Sequence, residues 1–226
     1  MKLRQHKSSM LNNIKGVIFD LDGTIADSMW VWEQIDDEFL SSRGITLSEV
    51  ELENMHREME GLSFAQTADY FINKFSLPET SIQIQNLWNE MAKDYYRYKV
   101  KLKDGALSLL KRLNENNIRI GMATSNSREL VSEISNHFHL NDYFDSIVTS
   151  DDVRASKPAP DVYLKASNDI GVEPASCLVF EDLPNGILAG KAAGMKVCAI
   201  EDKYSAHLKS EKIKLADYFI DTLLDI

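Results

Sequence analysis

Short β-branched and apolar runs recur along the chain at long intervals: "GVIFD" at 16–20, "IRIGMA" at 118–123, "SIVTS" at 146–150, "CLVFE" at 177–181 and "KVCAI" at 196–200. Several are nearly continuous in apolar character, as strands covered on both faces are. Helical periodicity separates the later ones. Residues 104–116 place Leu107, Leu110 and Leu113 behind Asp104 as an N-cap, and 127–138 place Leu130, Ile134 and Phe138 on one face. Residues 159–170 begin among prolines and stop at Gly171, and 185–193 stop at Gly194. Strand alternating with helix from residue 104 onward predicts an α/β fold, a doubly wound parallel sheet with a Rossmann-like core.

One interval breaks this rhythm. Between about residues 28 and 98 there is no strand pattern, only the helical period. Trp32, Ile35 and Phe39 share a face; so do Phe64, Ala68, Phe71, Ile72 and Phe75, and again Ile84, Leu87, Trp88, Met91 and Tyr95. Aromatic stripes at this spacing are read as helix core and not as a cofactor box. Thr46 with Glu49 and Ser63 with Gln66 have the spacing of capping boxes. The expected organisation is an α/β core of residues 1–27 and 99–226, with residues 28–98 inserted after the first strand as an all-helical domain. Two crossings, near 23–28 and 97–104, join them.

Composition narrows the partners. A chain of 226 residues that is 44% hydrophobic can bury a sizeable core, and its net charge of −10 argues against nucleic acid. Cys177 and Cys198 lie in apolar strand-like runs and read as buried free thiols. No stretch approaches the ~20 apolar residues of a membrane span. The basic N-terminus "MKLRQHKSSM" has no apolar signal region after it and reads as a frayed tail. These features describe a soluble, cytoplasmic protein of a reducing compartment. No long exposed apolar face demands a partner, so a monomer is expected.

The candidate chemistry gathers at strand ends, where parallel sheets bind their ligands. Asp20 and Asp22 follow the first strand, Thr124, Ser125 and Asn126 the second, Lys157 a loop beyond the third, and Glu181 with Asp182 the fourth. Singly, each has an ordinary reading: Lys157 as a surface lysine before a proline turn, Thr124 as a strand-end hydroxyl, the Glu181–Asp182 pair as helix N-terminal acids. Asp27 and Ser28 do read as N-cap candidates, and Asp151 and Asp152 as loop and capping acids. His137 and His139 lack ligand spacing, which argues against zinc. Together, however, the carboxylates are hard donors suited to Mg²⁺, Lys157 is a point charge for phosphate oxygens, and Thr124 with the following amides can hold an anion. Gly23 permits a tight turn past the acids. The set describes a magnesium-dependent phosphoryl-transfer site for a small phosphorylated metabolite.

"DLDGT" (20–24), "ATSN" (123–126), "SKPAPD" (156–161) and "VFEDLPNG" (179–186) also carry a family resemblance. The chain resembles the haloacid dehalogenase superfamily over essentially its whole length. Its helical insertion is similar to the cap of the subgroup that contains β-phosphoglucomutase and many small-molecule phosphatases. The resemblance implies that Asp20 attacks phosphorus to give an aspartyl-phosphate, and that Asp22 protonates the leaving alkoxide and later deprotonates water. It implies Mg²⁺ held by the Asp20 carboxylate, the Asp22 carbonyl and the Asp182 carboxylate, with Glu181 ligating directly or orienting a metal-bound water. Thr124, Ser125, Asn126 and Lys157 then bind the phosphoryl group.

The departures from the family bear on the reaction. Where mutase-like relatives place a His twelve residues after the nucleophile, this chain has Trp32; where they carry an Arg in the cap loop, "EGLSFAQ" supplies Phe64. Losing fixed cations where a second phosphate must sit favours hydrolysis over a bisphosphate intermediate. Leu183 replaces a common Ser, and Ser156 a common Gly. The reading is a Mg²⁺-dependent phosphatase of a small phosphate monoester, a sugar phosphate being one candidate. The alternatives are a sugar-phosphate mutase and a non-catalytic phospho-ligand-binding protein. Arg57, Glu60 and Ser63 near the 55–66 loop are candidate substrate-selecting residues, as is Trp32, although cap core is the favoured reading of that ring.

Overall fold

The computed structural model describes residues 10–59 and 62–226. In chain order the elements are β1 (Gly16–Phe19), β2 (Ala26–Asp27), α1 (Met29–Ser41), α2 (Glu49–Met59), α3 (Phe64–Phe75), α4 (Ser81–Tyr98) and β3 (Lys101–Leu102). They continue as α5 (Ala106–Glu115), β4 (Arg119–Ala123), α6 (Arg128–Phe138), β5 (Ser146–Val148), α7 (Asp161–Asp169), β6 (Cys177–Glu181), α8 (Pro184–Ala192), β7 (Lys196–Ile200), α9 (Lys209–Leu215) and β8 (Tyr218–Ile220).

The main sheet runs β5-β4-β1-β6-β7-β8 with every pairing parallel, the doubly wound arrangement expected. β1 lies inside it, and the chain builds outward first through β4 and β5, then on the other side through β6, β7 and β8. The crevice where the direction reverses opens at the C-terminal end of β1, where Asp20 leaves the strand. Successive β1 residues point to opposite faces. Val17 and Phe19 join one core with Leu109, Leu110, Leu130 and Ile134, while Ile18 joins another with Val162, Ala166 and Ile187. Phe19 and Phe180 stack with ring centroids 4.9 Å apart, tying β1 to β6 beside the crevice.

The chain crosses to α1–α4 and back through β2 and β3, which pair antiparallel with Ala26 opposite Leu102. The four helices surround an aromatic cluster. Trp88 meets Phe71 edge-on at 5.0 Å and Phe39 at 5.6 Å, and Phe64 at 5.5 Å. Capping boxes start α3 at Ser63–Gln66, as the spacing predicts, and α4 at Thr80–Gln83. Among the described residues no helix is long and apolar enough to cross a membrane.

Several local expectations shift. The box ahead of α2 is Ser48 with Glu51, whose carboxylate accepts from Ser48 N at 2.8 Å, and not Thr46 with Glu49. The cap of α5 is Gly105 and not Asp104: its φ of +89° favours glycine, and a Cβ there would stand 2.8 Å from Leu224 N. The α5 register turns accordingly, leaving Leu107 40% exposed while Ala106, Leu109, Leu110 and Leu113 are buried. Leu87 is likewise 39% exposed on α4, because Ile84 and Trp88 take the inward positions. Met10 is buried in the core, and the rest of the basic N-terminal tail lies outside the described residues. The pair α9 and β8 escapes the sequence pattern, since a short edge strand bears too few apolar residues to announce itself. Cys177 and Cys198 are buried and unbridged, as expected.

Candidate active site

Asp20 is the first residue past β1 and is still tied to the sheet by its N–H, which donates to Phe180 O at 3.0 Å. Lys157 reaches it from the loop between β5 and α7. The Lys157 ammonium donates to Asp20 Oδ1 and Glu181 Oε1, each at 2.6 Å, and to Ala123 O at 3.1 Å. Three strand ends are thereby joined by one side chain. Burial opposes the ammonium, but Asp20 and Glu181 outweigh it and hold the Lys157 pKa above the ordinary lysine value. Burial pushes Asp20 up to about 8; Lys157 opposes that shift, and the Glu181 and Asp22 charges add to it.

Glu181 is fixed from several sides. Tyr163 on α7 donates to Oε1 at 2.7 Å, and the amides of Asp182 and Leu183 donate to Oε2 at 3.0 and 3.3 Å. Gly186 supplies the room: a Cβ there would sit 1.7 Å from Glu181 Oε1. Asp182 differs, because its Oδ2 is buried with no hydrogen-bond partner among the described residues. Burial, then the charges of Glu181, Asp20 and Asp202, push its carboxyl well above the usual range, with Lys103 opposing. Gly23, at φ +74°, lets the backbone pass this oxygen, since a Cβ would lie 2.2 Å from it.

Asp20, Glu181 and Asp182 each offer an oxygen, all within 4.8 Å of one another. A buried, orphaned carboxylate oxygen is costly unless something positive occupies its lone pairs. Hard oxygen donors crowded in this way, with a single lysine among them, suit a divalent ion such as Mg²⁺. The donor set therefore fits the metal.

Asp22 belongs to a second network. Its Oδ1 accepts from Ser28 Oγ at 2.5 Å and from the Tyr96 hydroxyl, and its Oδ2 accepts from Asn126 Nδ2 at 2.9 Å. Asn126 Nδ2 also donates to Tyr96 Oη at 2.9 Å. Burial, then the Asp22 charge, keeps the Tyr96 hydroxyl protonated far above its usual range. Ser28 occupies the N-cap position of α1, as its reading predicts, but makes no side-chain cap bond, because the Asp22 carboxylate claims its hydroxyl instead. Asp27 pairs with Lys101 in the β2–β3 ladder and does not cap α1 either. Asp152 does act as a capping acid, accepting from Thr149 N at 2.9 Å.

The remaining candidates are spread more widely. Thr124 is buried, and its Oγ1 accepts from Asn126 N at 3.0 Å, while Ser125 is exposed beside it. Trp32 on α1 packs edge-on against Phe64 at 5.4 Å and lies 6.3 Å from the Tyr96 ring. Arg57 faces solvent and pairs with Glu53 at 3.6 Å, and Ser63 caps α3. Glu60 lies outside the described residues. Sequence reading missed Tyr96, Tyr163 and the turn of Asn126 toward Asp22. The stripe predicted over α4 ran through Tyr95, whereas Tyr96 is the buried one; a buried tyrosine needs a partner for its hydroxyl, and the carboxylates were the groups short of donors.

Residues 17–200 match the model of the haloacid dehalogenase-like hydrolases. Protein CbbY of Rhodobacter capsulatus is 30% identical over 219 residues, covering 93% of this chain and 94% of that protein. A bifunctional riboflavin kinase/FMN phosphatase of Arabidopsis thaliana is 32% identical over 96% of this chain, which spans only 57% of that longer protein. Among solved structures, a haloacid dehalogenase-type hydrolase of family IA, variant 3, from Entamoeba histolytica superposes with a TM-score of 0.82 at 28% identity, covering 94% of this chain and 95% of that one. Asp20, Lys157, Glu181 and Asp182, which meet at the strand ends, all lie within the matched residues, and the chain belongs to the haloacid dehalogenase-like hydrolase family.

Proposed function

We propose that the protein is a Mg²⁺-dependent phosphatase that hydrolyses a small phosphate monoester, sugar phosphates among the candidates, through an aspartyl-phosphate on Asp20. The observation that carries this reading is the pairing of Asp20 with Lys157 next to the orphaned Asp182 oxygen, with a second carboxylate in its own network two residues on. Asp20, Asp182 and the Asp22 carbonyl would hold the metal, with Glu181 as a further ligand or as the group that orients a water beside it. When bound, the magnesium ion neutralises phosphoryl oxygens and lowers the barrier to attack on phosphorus.

Asp20 attacks phosphorus in line, breaking the bond to the leaving oxygen, and Asp22 delivers a proton to that oxygen. Water then attacks the same phosphorus, Asp22 takes its proton, and Asp20 is regenerated with release of inorganic phosphate. Lys157 and the Thr124 hydroxyl fix phosphoryl oxygens during both steps, with Ser125 and Asn126 beside Thr124 as further phosphate-binding groups. Different surroundings give the two acids different tasks: Asp20 among charges, Asp22 among neutral donors.

Residues 28–98 act as a cap over a core of 1–27 and 99–226. Tyr96 belongs to α4, so movement of the helices frees Asp22 Oδ1 for the leaving group, and closure excludes bulk water. Trp32 is the cap residue best placed to read that group, since it packs on the ring that holds Asp22. Arg57, Glu60 and Ser63 are the further candidates for selecting the substrate. The apolar pair Trp32–Phe64 supports hydrolysis over transfer, because a mutase needs a cation there for a second phosphate. Phosphate release from a panel of sugar phosphates, nucleotides and small phosphoacids, with Mg²⁺ and with chelator, tests the reading. Metal-dependent release from a narrow set is expected; release indifferent to chelator overturns it.

A further inference from the structure

Lys212 on α9 is wholly buried, yet the reaction outlined above has no use for it. Lysine is almost never fully buried unless it is paired. Its ammonium donates to two uncharged oxygens, Ile200 O at 3.2 Å and Ser205 Oγ at 3.0 Å. Ser205, also buried, passes the contact on: its hydroxyl donates to the backbone carbonyl of Asp182 at 3.2 Å. Ser205 sits at a kink, φ −112° and ψ 17°, that interrupts the 3-10 turn at Lys203–Leu208. The start of that turn is anchored separately. Asp202 Oδ1 caps Tyr204 N at 2.9 Å, and Asp202 Oδ2 pairs with Lys103 at 2.7 Å. Burial lowers the Lys212 pKa, while the charges of Glu201, Asp182 and Asp202 oppose that shift.

The consequence follows from what Asp182 lacks. With no partner on Oδ2 among the described residues, the Asp182 backbone is the anchor from which that carboxylate projects. On one side the Asp182 N–H is held by Glu181 Oε2. On the other the carbonyl is held by Ser205, and Ser205 by Lys212. Outer groups that orient a metal ligand commonly govern affinity as strongly as some ligands do.

We infer that Lys212 is a positioning residue for the divalent cation of the proposed phosphatase site, acting through Ser205 to fix the Asp182 backbone and so present its carboxylate. This rests on the reading that Asp182 holds a metal. It assigns to the C-terminal helix α9, remote in sequence from all four motifs, a part in building the site.

The test uses the full chain and Mg²⁺ alone. Calorimetric titration of the wild type is compared with Ser205→Ala, Ser205→Thr and Lys212→Met, alongside amide exchange of residues 181–186 in the metal-free protein. Ser205→Ala and Lys212→Met are expected to weaken Mg²⁺ binding by about 10- to 100-fold and to speed exchange of the Asp182 and Leu183 amides. Ser205→Thr, which keeps the hydroxyl, is expected to restore both. The double variant should bind no more weakly than the weaker single one, since both act along one chain of contacts. Unchanged Mg²⁺ affinity in both variants, whatever their thermal midpoints, overturns the inference and leaves the phosphatase reading standing. If Lys212→Met does not fold, Ser205→Ala alone decides the matter. A wild type that binds no Mg²⁺ overturns the inference together with the metal reading beneath it.

Discussion

The strand ends around Asp20 and the helical segment α1–α4 are built on opposite principles. Around Trp88 the helices bury rings against rings, each contact replaceable by another apolar group of similar volume. Around Lys157 the core buries charge, and almost every contact is particular: one ammonium bridging two carboxylates, glycines at 23 and 186 with no room for a Cβ, one carboxylate oxygen without a partner among the described residues. The first region gains stability from what it buries. The second concentrates buried charge at a cost to stability, as a site prepared for a cation and a phosphate is expected to do.

Substitutions in the two regions should therefore separate activity from stability. The largest effect is expected from Asp20→Asn, which should lower turnover on the order of 10⁴-fold or more while the protein stays folded; steady-state kinetics and circular dichroism check this together. Next, Phe71→Ala should destabilise the protein by about 3–5 kcal/mol, measured by urea unfolding, with turnover of the folded fraction nearly unchanged. If turnover instead collapsed as it does for Asp20→Asn, the contrast between the regions would be broken.

Tyr96→Phe sits where the regions meet, since it keeps the ring and removes the hydroxyl on Asp22. It should lower kcat by about tenfold, a fraction of the 10²–10⁴ typical of acid–base catalysis, and change stability by about 1 kcal/mol. The smallest effect concerns pH. In the folded, metal-free protein burial raises the Asp20 pKa to about 8 against the pull of Lys157, whereas the free carboxyl titrates near 3.8. The folded state then binds more protons across that window, so stability is fullest below its lower edge and is lost as pH rises toward its upper one. Thermal melts of chelated protein should fall across that range, and Mg²⁺ should recover the midpoint most at the upper end.

The same contrast explains what could be read in advance. Nearly continuous apolar strands and short polar turns leave little latitude, so β1, β4, β6 and β7, the sheet class and the residues at the strand ends were legible. Helix existence in 28–98 was legible from period, but the starting residues were not: Thr46–Glu49 and Ser48–Glu51 have the same spacing, and only the backbone geometry chose between them. Asp104 against Gly105 was decided by the approach of Leu224, a contact more than a hundred residues away in sequence. Tyr96, Tyr163 and Ser28 were invisible for a related reason. Their hydroxyls are assigned by which carboxylate lies in reach, and reach is a property of packing.

The central claim is that Asp20 carries the phosphoryl group. Wild-type protein mixed with excess substrate and Mg²⁺, quenched in acid at short times and digested, gives the most direct test by mass spectrometry. The account predicts one phosphoryl group on the peptide that contains Asp20, appearing before steady state and absent from Asp20→Asn. Phosphate released at full rate with no modified peptide at any quench time, or turnover kept by Asp20→Asn, would contradict it.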